Sequence, residues 1–316
     1  MTTMREHPDR GLYDPADERD ACGFGLISTI GGDASRAIVD GALQALSRMA
    51  HRGGIAADGL SGDGCGVLMY GADAFVDTLA AEAGFDFGAA RRAAGMVFLP
   101  HEAEAAAQCR AVFAERLRDV DIRVAGWREV PTDDAALGAL ARGSMPRIEQ
   151  VFVTADGDDV HAFERALYLA RRRAEQTLRE HEDFYVVGLT PGLLGYKGMV
   201  LPGHLTQLFP DLGRDDLTAR TVVFHQRFST NTLPRWKLAH PFRRLAHNGE
   251  INSIEGNRRW AQARRGVWAS PELDISEFDD TVTMHGSDSQ TLDNMLEWML
   301  LGGMDLLQAM RILMPP

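Results

Sequence analysis

Hydrophobic residues recur along this chain at two spacings, one typical of β-strands and the other of α-helices. Short apolar runs predict strands over residues 22–30, 65–70, 95–99, 122–127, 148–153, 184–189 and 221–228. Helical spacing predicts a helix that Ser35 caps and Gly53-Gly54 ends, and further helices over residues 102–120, 161–182 and 289–314. Because strands and helices do not alternate strictly, the pattern favours an α+β layered domain over a doubly wound parallel sheet.

Residues 22–316 contain no internal repeat and no low-complexity linker, so we expect a single domain there. Before it lies a polar leader, residues 1–21, in which three arginines stand among six acids and no apolar stretch resembles a secretory signal. The chain stops at Pro315-Pro316, directly after a predicted helix, where a domain would more naturally continue. We therefore expect the domain to be truncated at its C-terminal end.

The composition narrows the environment and the partners. Of the 316 residues, 45% are hydrophobic and 25% are charged, as in a globular protein with a sizeable core, and no apolar run is long enough to cross a bilayer. A formal net charge of −12 argues against binding the phosphate backbone of nucleic acids. Three cysteines without a C-x-x-C pair fit a reducing compartment, so we expect the cytoplasm. The ten histidines show no paired ligand spacing, and we expect no metal site.

Cys22 is the first residue that suggests specific chemistry. It precedes Gly23 at the start of the first predicted strand, and cleavage after Ala21 would make it the first residue of a mature chain. The ordinary pKa values of a thiol and a free α-amine are about 8.5 and about 8, so the amine can accept the proton of the thiol and return it to a leaving group. The alternative is a buried structural cysteine at a strand end.

Two segments contain side chains suited to hold an amino acid by its charged ends. Arg227 ends the apolar part of Phe224-His-Gln-Arg-Phe-Ser-Thr-Asn-Thr232 and can bind a carboxylate bidentately, with Thr230 as a neighbouring hydrogen-bond donor. Asp288, in Gly286-Ser-Asp-Ser289, can hold an ammonium group. The alternatives are an arginine paired with an acid on an edge strand, and a helix N-cap formed by Asp288 or Ser287.

The Asn248-Gly249 pair lies between apolar segments, in Leu245-Ala-His-Asn-Gly-Glu-Ile-Asn252. Such a pair most often forms a tight turn. In an acyl-transfer enzyme the Asn248 amide and the Gly249 N–H can also converge on the oxyanion of a tetrahedral intermediate, since glycine lets the main chain approach closely. We expect His247 to pack or to hydrogen-bond at the turn.

Other suggestive features are interpreted as structural. The glycine-rich Ser61-Gly-Asp-Gly-Cys-Gly66 has neither dinucleotide-binding nor P-loop spacing. Arg171-Arg172-Arg173 lies in a helix rich in Glu and is expected to form a solvated face. Cys65 and Cys109 are expected to be packing residues.

Taken together, the motifs resemble a known family. They occur in the order Asp20-Ala-Cys-Gly-Phe-Gly-Leu-Ile27, His51-Arg-Gly-Gly54, Ser61-Gly-Asp-Gly-Cys-Gly66, His225-Gln-Arg-Phe-Ser-Thr-Asn-Thr232, Ala246-His-Asn-Gly-Glu-Ile-Asn252 and Gly286-Ser-Asp-Ser289. From about Glu18 to the last residue, the chain closely resembles the amino-terminal class II glutamine amidotransferase domain of glutamate synthase large subunits. The resemblance implies the N-terminal-nucleophile hydrolase fold, an α+β αββα sandwich of two antiparallel sheets between helical layers.

The resemblance also implies a role for each candidate residue. Cys22 matches the nucleophile of the family, which becomes the amino terminus once residues 1–21 are removed. The other matches are Arg227 and Thr230 for binding the glutamine α-carboxylate, Asn248 and Gly249 for the oxyanion hole, and Asp288 for binding the α-amino group.

For function, the resemblance implies that L-glutamine is hydrolysed through a γ-glutamyl thioester on Cys22 and that its ammonia reaches 2-oxoglutarate to form L-glutamate. We expect no cofactor in this segment. For the full-length parent, the resemblance implies FMN and a 3Fe-4S cluster, with FAD and NADPH supplied through a small flavin subunit, and we expect the NADPH type. The implied partners are the rest of the large subunit and this small subunit, with no nucleic acid and no membrane.

Three alternatives stay open. The chain is a stand-alone amidotransferase subunit of another synthase, or a non-catalytic module that binds an amino acid through Arg227 and Asp288. The third alternative is a conventional Cys-His hydrolase, in which Cys22 or Cys65 is served by His51, His225 or His247.

Overall fold

The computed structural model describes residues 23–88, 90–227 and 232–314. Within these ranges the strands form two antiparallel four-stranded sheets. The strands are β1 (Phe24–Ser28), β2 (Cys65–Tyr70), β3 (Arg91–Leu99), β4 (Arg123–Glu129), β5 (Arg147–Ala155), β6 (Tyr185–Val186), β7 (Leu193–Gly198) and β8 (Thr221–Gln226). The first sheet has the order β1-β8-β2-β7, and the second has the order β4-β5-β3-β6.

Helices pack against the sheets and against one another. They are α1 (Arg36–Arg48), α2 (Asp73–Glu82), α3 (Ala103–Arg118), α4 (Ala139–Gly143), α5 (Val160–Thr177), α6 (Leu205–Leu208), α7 (Ile254–Ala263), α8 (Asp288–Leu301) and α9 (Leu306–Leu313). Helix α1 contacts β1 and β8, while α3 and α5 pack together on the second sheet. In the described part of the chain, no helix has both the length and the apolar character needed to span a membrane.

One buried apolar cluster joins the two sheets and includes residues of α1 and α2. Val67 of β2 and Phe224 of β8 belong to the same cluster as Met96 and Phe98 of β3. Between these last two residues, Val97 belongs to a second cluster that joins the opposite face of the second sheet to α3 and α5. Residues of β3 alternate between the clusters because successive side chains of a strand point to opposite faces. The two antiparallel sheets and the helices that pack against them form an α+β sandwich, and the fold class expected from the sequence is confirmed.

The extents of several elements differ from the prediction. The strand expected over residues 184–189 is only Tyr185–Val186, and α5 ends at Thr177, because residues 178–184 turn back through hydrogen bonds such as Phe184 N–H to His181 O. The sequence pattern also missed α2, α7 and β7. Strand β7 contains Gly195 and Gly198, which weaken the usual strand signal.

One local prediction was right in position only, and another was wrong. Ser35 stands at the N-cap position of α1, but its side chain makes no cap hydrogen bond; its main chain pairs with Ala219 instead. The arginine run in α5 is not a solvated face, since Arg171 is only 2% exposed. Arg171 is buried because its guanidinium bonds Glu297 of α8 as well as Glu175 on its own helix.

Candidate active site

The start of β1 lies against the end of β8 and the Asn248 side chain. The Gln226 N–H donates to Gly23 O at 2.6 Å, which extends the β1–β8 pairing by one residue. A Cβ added at Gly23 would lie 2.6 Å from Gln226 O and 2.9 Å from Asn248 Oδ1. Glycine is therefore required at this position, and Asn248 is held beside the residue that directly follows position 22.

Arg227 follows β8 with an unusual main-chain conformation. Its φ is 117°, a region that residues with a side chain rarely adopt, and its N–H donates to Gly64 O at 2.7 Å. Gly64 itself has a φ of 127°. Strained main chain of this kind is found mostly at functional sites. The pairing fixes the point at which the Arg227 side chain leaves the sheet.

The glycine-rich loop before β2 supports the same end of the sheet. Asp63 is nearly buried, and its Oδ2 accepts the Gly54 N–H at 2.8 Å while its Oδ1 faces Gln226 Nε2 at 3.5 Å. Burial raises the pKa of the Asp63 carboxyl, and the Gly54 hydrogen bond and the nearby Arg227 guanidinium oppose that rise. The loop thus ties the Gly53-Gly54 turn to the end of β8.

Asp288 connects the first turn of α8 to the segment that follows Asn248. Its side chain is fully buried, with Oδ2 accepting the Ile251 N–H at 2.8 Å and Oδ1 accepting the Ser289 N–H at 2.6 Å. Asp288 is not the N-cap of α8, because the Ser287 hydroxyl accepts the Gln290 N–H at 3.0 Å in that role. The carboxylate is thus held at the helix start by main-chain donors.

His225, on β8, supports the turn that contains Asn248. Its Nε2 lies 3.0 Å from His247 O, and since a carbonyl only accepts, Nε2 carries the proton. Burial lowers the pKa of His225 to about 4, so the ring is neutral near pH 7. Its Nδ1 has no hydrogen-bond partner among the described residues, and its ring stacks on His240 with centroids 4.3 Å apart.

Beneath these histidines the protein buries a lysine. Lys197 of β7 is 1% exposed, and its Nζ donates to Lys237 O at 3.0 Å and lies 4.7 Å from the centroid of the Phe242 ring. Burial lowers the pKa of Lys197 well below its ordinary value. His240 is fully buried as well, and burial lowers its pKa well below the ordinary value.

A cavity of about 680 Å³ opens beside this group of residues. Its walls come from the end of α5 and the segment that follows it (residues 172–185), from residues 232–243 and from residues 278–294. The cavity is lined in part by Thr232 and Gly286, which lie at the ends of two of the sequence motifs. It is not lined by Arg227, Asn248 or Asp288. The cavity therefore borders the group of candidate residues and is not centred on them.

Several predicted site residues are gathered by these contacts. Asn248 lies against Gly23, Arg227 follows the strand paired with β1, and Asp288 is bonded to the segment after Gly249. Cys22 and Thr230 lie outside the described residues, as does the leader, residues 1–21.

Two further predictions concern cysteines and His247. Cys65 and Cys109 are buried packing residues, as expected. Burial raises the pKa of the Cys65 thiol far above its ordinary value, which argues against Cys65 as a nucleophile. His247 hydrogen-bonds at the turn, with Nδ1 at 2.8 Å from Ser289 Oγ, also as expected.

Sequence reasoning missed three supporting residues. In the sequence, Asp63 is one acid in a glycine-rich loop, and nothing marks it as functional. His225 and Ser289 lie in motifs in which the candidate functional residues were their neighbours, Arg227 and Asp288. Their partners are Gly54, the His247 carbonyl and the His247 ring, which lie 9, 22 and 42 positions away in sequence. No local pattern specifies such pairs.

The fold and the arrangement of these residues define a class of protein. Two antiparallel sheets packed with helices, with Asn248 held beside the start of β1, are consistent with the sandwich of N-terminal-nucleophile hydrolases. Comparison with known sequences gives the family. The chain belongs to the class II glutamine amidotransferases, whose family profile, described as "Glutamine amidotransferases class-II", matches residues 22–316.

Curated relatives of this chain are glutamate synthases. It is 39% identical over 327 aligned positions to the ferredoxin-dependent glutamate synthase 2 of Synechocystis sp., covering 100% of this chain and 20% of that protein. It is 36% identical to the glutamate synthase [NADPH] large chain of Azospirillum brasilense, covering 92% and 20%, respectively. The chloroplastic ferredoxin-dependent enzyme of Oryza sativa is 38% identical, with 94% and 19% covered. The chain thus spans about one fifth of the length of these relatives, which include both electron-donor types.

Proposed function

We propose that this chain is the glutaminase domain of a longer glutamate synthase. The observation that carries the proposal is that Asn248 lies against Gly23, the residue directly after Cys22, while Asp288 is bonded to the segment just after Gly249. Membership of the class II amidotransferase family and the similarity to glutamate synthases support it. The substrate is L-glutamine, whose amide nitrogen is released as ammonia.

In the proposed reaction, residues 1–21 are removed and Cys22 becomes the amino terminus. Its α-amine takes the thiol proton, and the thiolate attacks the glutamine amide carbon to form a tetrahedral intermediate. The Asn248 side-chain N–H and the Gly249 N–H stabilise the oxyanion, a donor pair of which each member is typically worth about 3 kcal/mol of barrier. The C–N bond then breaks, the amine returns the proton to the leaving ammonia, and water hydrolyses the γ-glutamyl thioester to glutamate.

In this proposal the protein recognises glutamine by its two charged groups, the α-carboxylate and the α-amino group. Arg227 and Thr230 bind the α-carboxylate and Asp288 binds the α-amino group. The main-chain donors to Asp288 support this role, because they hold its carboxyl group in a fixed position from which it can bond an ammonium group.

The remaining activity is assigned to the longer protein. Ammonia reaches 2-oxoglutarate, and the product is reduced to a second glutamate with FMN and a 3Fe-4S cluster held outside this segment. Electrons come from NADPH through a small flavin subunit, and the enzyme works in the cytoplasm. The fraction of each relative that this chain covers supports the division, since about four fifths of those proteins lies outside the match.

The test is carried out on the full-length protein. Intact mass and amino-terminal sequencing should show an active glutaminase that begins at Cys22, and a glutamine-analogue electrophile should add to that residue. Cys22→Ala should abolish glutamine hydrolysis, while Cys109→Ala, which alters a buried cysteine of α3, should leave it unchanged. Full activity with residues 1–21 still attached would refute the free-amine mechanism. Glutamine binding that is unchanged by Cys22→Ala, with no adduct and no hydrolysis in the wild type, would instead support a binding module.

A further inference from the structure

Asp288 and His247 are joined through a single hydroxyl group. Ser289, the second residue of α8, is 1% exposed, and its Oγ lies 2.8 Å from His247 Nδ1 and 3.2 Å from Asp288 Oδ1. The three side chains form a continuous hydrogen-bonded row. It leads from the proposed ligand of the α-amino group to the residue directly before Asn248.

The proton positions in this row follow from the chemistry of its members. An ionised carboxylate only accepts, and a hydroxyl has one proton to donate. When Ser289 Oγ–H donates to Asp288, the oxygen can accept only from His247 Nδ1–H. With His247 donating to Ser289 and Ser289 donating to Asp288, both contacts are hydrogen bonds. If Ser289 instead donated to His247, the oxygens of Ser289 and Asp288 would face each other with no proton between them. The ring of His247 is thus fixed with Nδ1 as the donor.

The main chain around His247 is held from two further directions. His225 Nε2–H donates to His247 O at 3.0 Å. On the other side, a Cβ added at Gly249 would lie 2.8 Å from His247 Nε2, so the imidazole packs against the glycine of the proposed oxyanion hole. A shift of the His247 ring would therefore move Gly249, and loss of the Ser289 bond would free the ring to shift.

We propose that His247 and Ser289 are positioning residues that couple the proposed ammonium ligand, Asp288, to the proposed oxyanion hole, Asn248-Gly249. The inference rests on the proposed function and adds a specificity mechanism to it. The carboxylate that recognises the α-amino group of an amino-acid amide is the same group that orients the turn needed in the transition state. Neither His247 nor Ser289 touches the substrate in this scheme.

The effect belongs to the chemical step more than to binding. Asp288 keeps its main-chain donors when the row is broken, so ground-state binding of glutamine is retained. The oxyanion donors act on the transition state, and a small misplacement of such groups can cost about 100-fold in rate. We therefore expect a lower kcat with little change in KM.

The experiment measures kcat and KM for glutamine hydrolysis by the full-length protein. His247→Leu and Ser289→Ala should each lower kcat by about 10- to 100-fold and change KM by less than about threefold. His247→Asn, which can place an amide N–H near the former Nδ1, should recover most of the kcat lost in His247→Leu. His204→Leu is the matched control: His204 is also half-buried, lies next to α1 in a short 3-10 helix (Pro202–His204), and should retain wild-type values.

The outcomes separate this inference from the proposed function. If the wild type hydrolyses glutamine and Cys22→Ala does not, but Ser289→Ala keeps the wild-type kcat, the coupling is overturned and the glutaminase assignment stands. Equal loss of kcat in His247→Asn and His247→Leu would indicate a merely structural role and would also overturn it. Ser289→Ala removes a single atom, so it provides the answer if His247→Leu fails to fold. A wild type without glutaminase activity overturns the proposed function and the coupling together.

Discussion

At the scale of single residues, the candidate site depends on positions where no larger side chain fits. Gly53 is the sharpest case, since a Cβ placed there would lie 1.8 Å from Gln226 Nε2 and 2.9 Å from Asp63 Oδ1. Gln226 is fully buried and Asp63 nearly so, which leaves neither side chain room to move away. Glycine is needed here for close approach and not for backbone freedom, because the φ of Gly53 is −104°.

Gly53→Ala should therefore destabilise the protein by about 2 kcal/mol, the usual cost of forcing extra atoms into a packed interior. Urea unfolding monitored by circular dichroism measures the change. Gly54→Ala is the matched control, because a Cβ there would meet its nearest atom, Asp63 Oδ2, at an ordinary 3.4 Å. Equal unfolding midpoints for the two variants would contradict the role assigned to Gly53.

At the scale of secondary-structure elements, α8 carries Asp288, the proposed ammonium ligand, and is anchored at its start and along its length. The Ser287 hydroxyl caps its first turn, and Glu297 ties it to Arg171 of α5. Helix α1 has a serine at the same N-cap position, Ser35, without a cap hydrogen bond. The two helices thus offer a direct comparison of a used and an unused cap.

Ser287→Ala should cost about 1 kcal/mol of unfolding free energy, because it removes the acceptor for the Gln290 N–H. Ser35→Ala should cost less than about 0.5 kcal/mol, since no bond is lost. Thermal and urea unfolding of both variants test this. A cost for Ser35→Ala as large as that for Ser287→Ala would show that the cap bond is not the cause.

Glu297→Ala tests the buried link between α5 and α8. The side chains of Arg171 and Glu297 are only 3% and 5% exposed, so removing the carboxylate leaves a buried guanidinium with part of its charge uncompensated. We expect a loss of about 3 kcal/mol in unfolding free energy. Asp156→Ala, which breaks the exposed Arg123–Asp156 pair, should leave the unfolding midpoint at the wild-type value. If both variants unfold at the same denaturant concentration, burial of the pair has no energetic consequence.

At the scale of the whole molecule, buried imidazoles link global stability to pH. Burial lowers the pKa of His225 to about 4 and that of His240 well below its ordinary value of 6.5. Between these values and 6.5, the unfolded chain binds protons that the folded protein does not. The contribution of these two imidazoles to stability is therefore complete above about pH 6.5 and is lost as the pH drops, by about 1.4 kcal/mol per pH unit for each group.

His240→Phe should reduce this pH dependence. Neither ring nitrogen of His240 has a hydrogen-bond partner among the described residues, and the ring stacks on His225 and meets Phe242 edge to face. A phenyl ring keeps these contacts and cannot take up a proton. The slope of unfolding free energy between pH 6.5 and pH 4.5 should fall by about one proton relative to the wild type. His161→Phe is the control, because it removes a histidine at an exposed position. An equal change of slope in both variants would contradict the prediction.

Much of the fold was predictable from local patterns. Strands such as β2 and β5 have side chains that pack into buried clusters, so a compact apolar run marks them. Strand β7 was missed because its glycines hide the pattern, and the arginine run of α5 was misread because its partner Glu297 lies 126 residues away. The expectations of an NADPH-type parent, of leader removal and of a cytoplasmic enzyme remain predictions. So do the roles of all the site residues: Cys22, Arg227, Thr230, Asn248, Gly249 and Asp288.

By itself, the sequence determined the family, the sandwich class and the residue types of the candidate site. Each of these follows from motifs and apolar patterns in short, continuous segments of the chain. Only the tertiary structure decided how those segments meet. Asp63 bonds the Gly53-Gly54 turn, and the row from Asp288 through Ser289 to His247 joins α8 to the Asn-Gly turn. Such bonds depend on the packing of distant elements, and a pair of atoms about 3 Å apart in space leaves no periodic signal in the sequence.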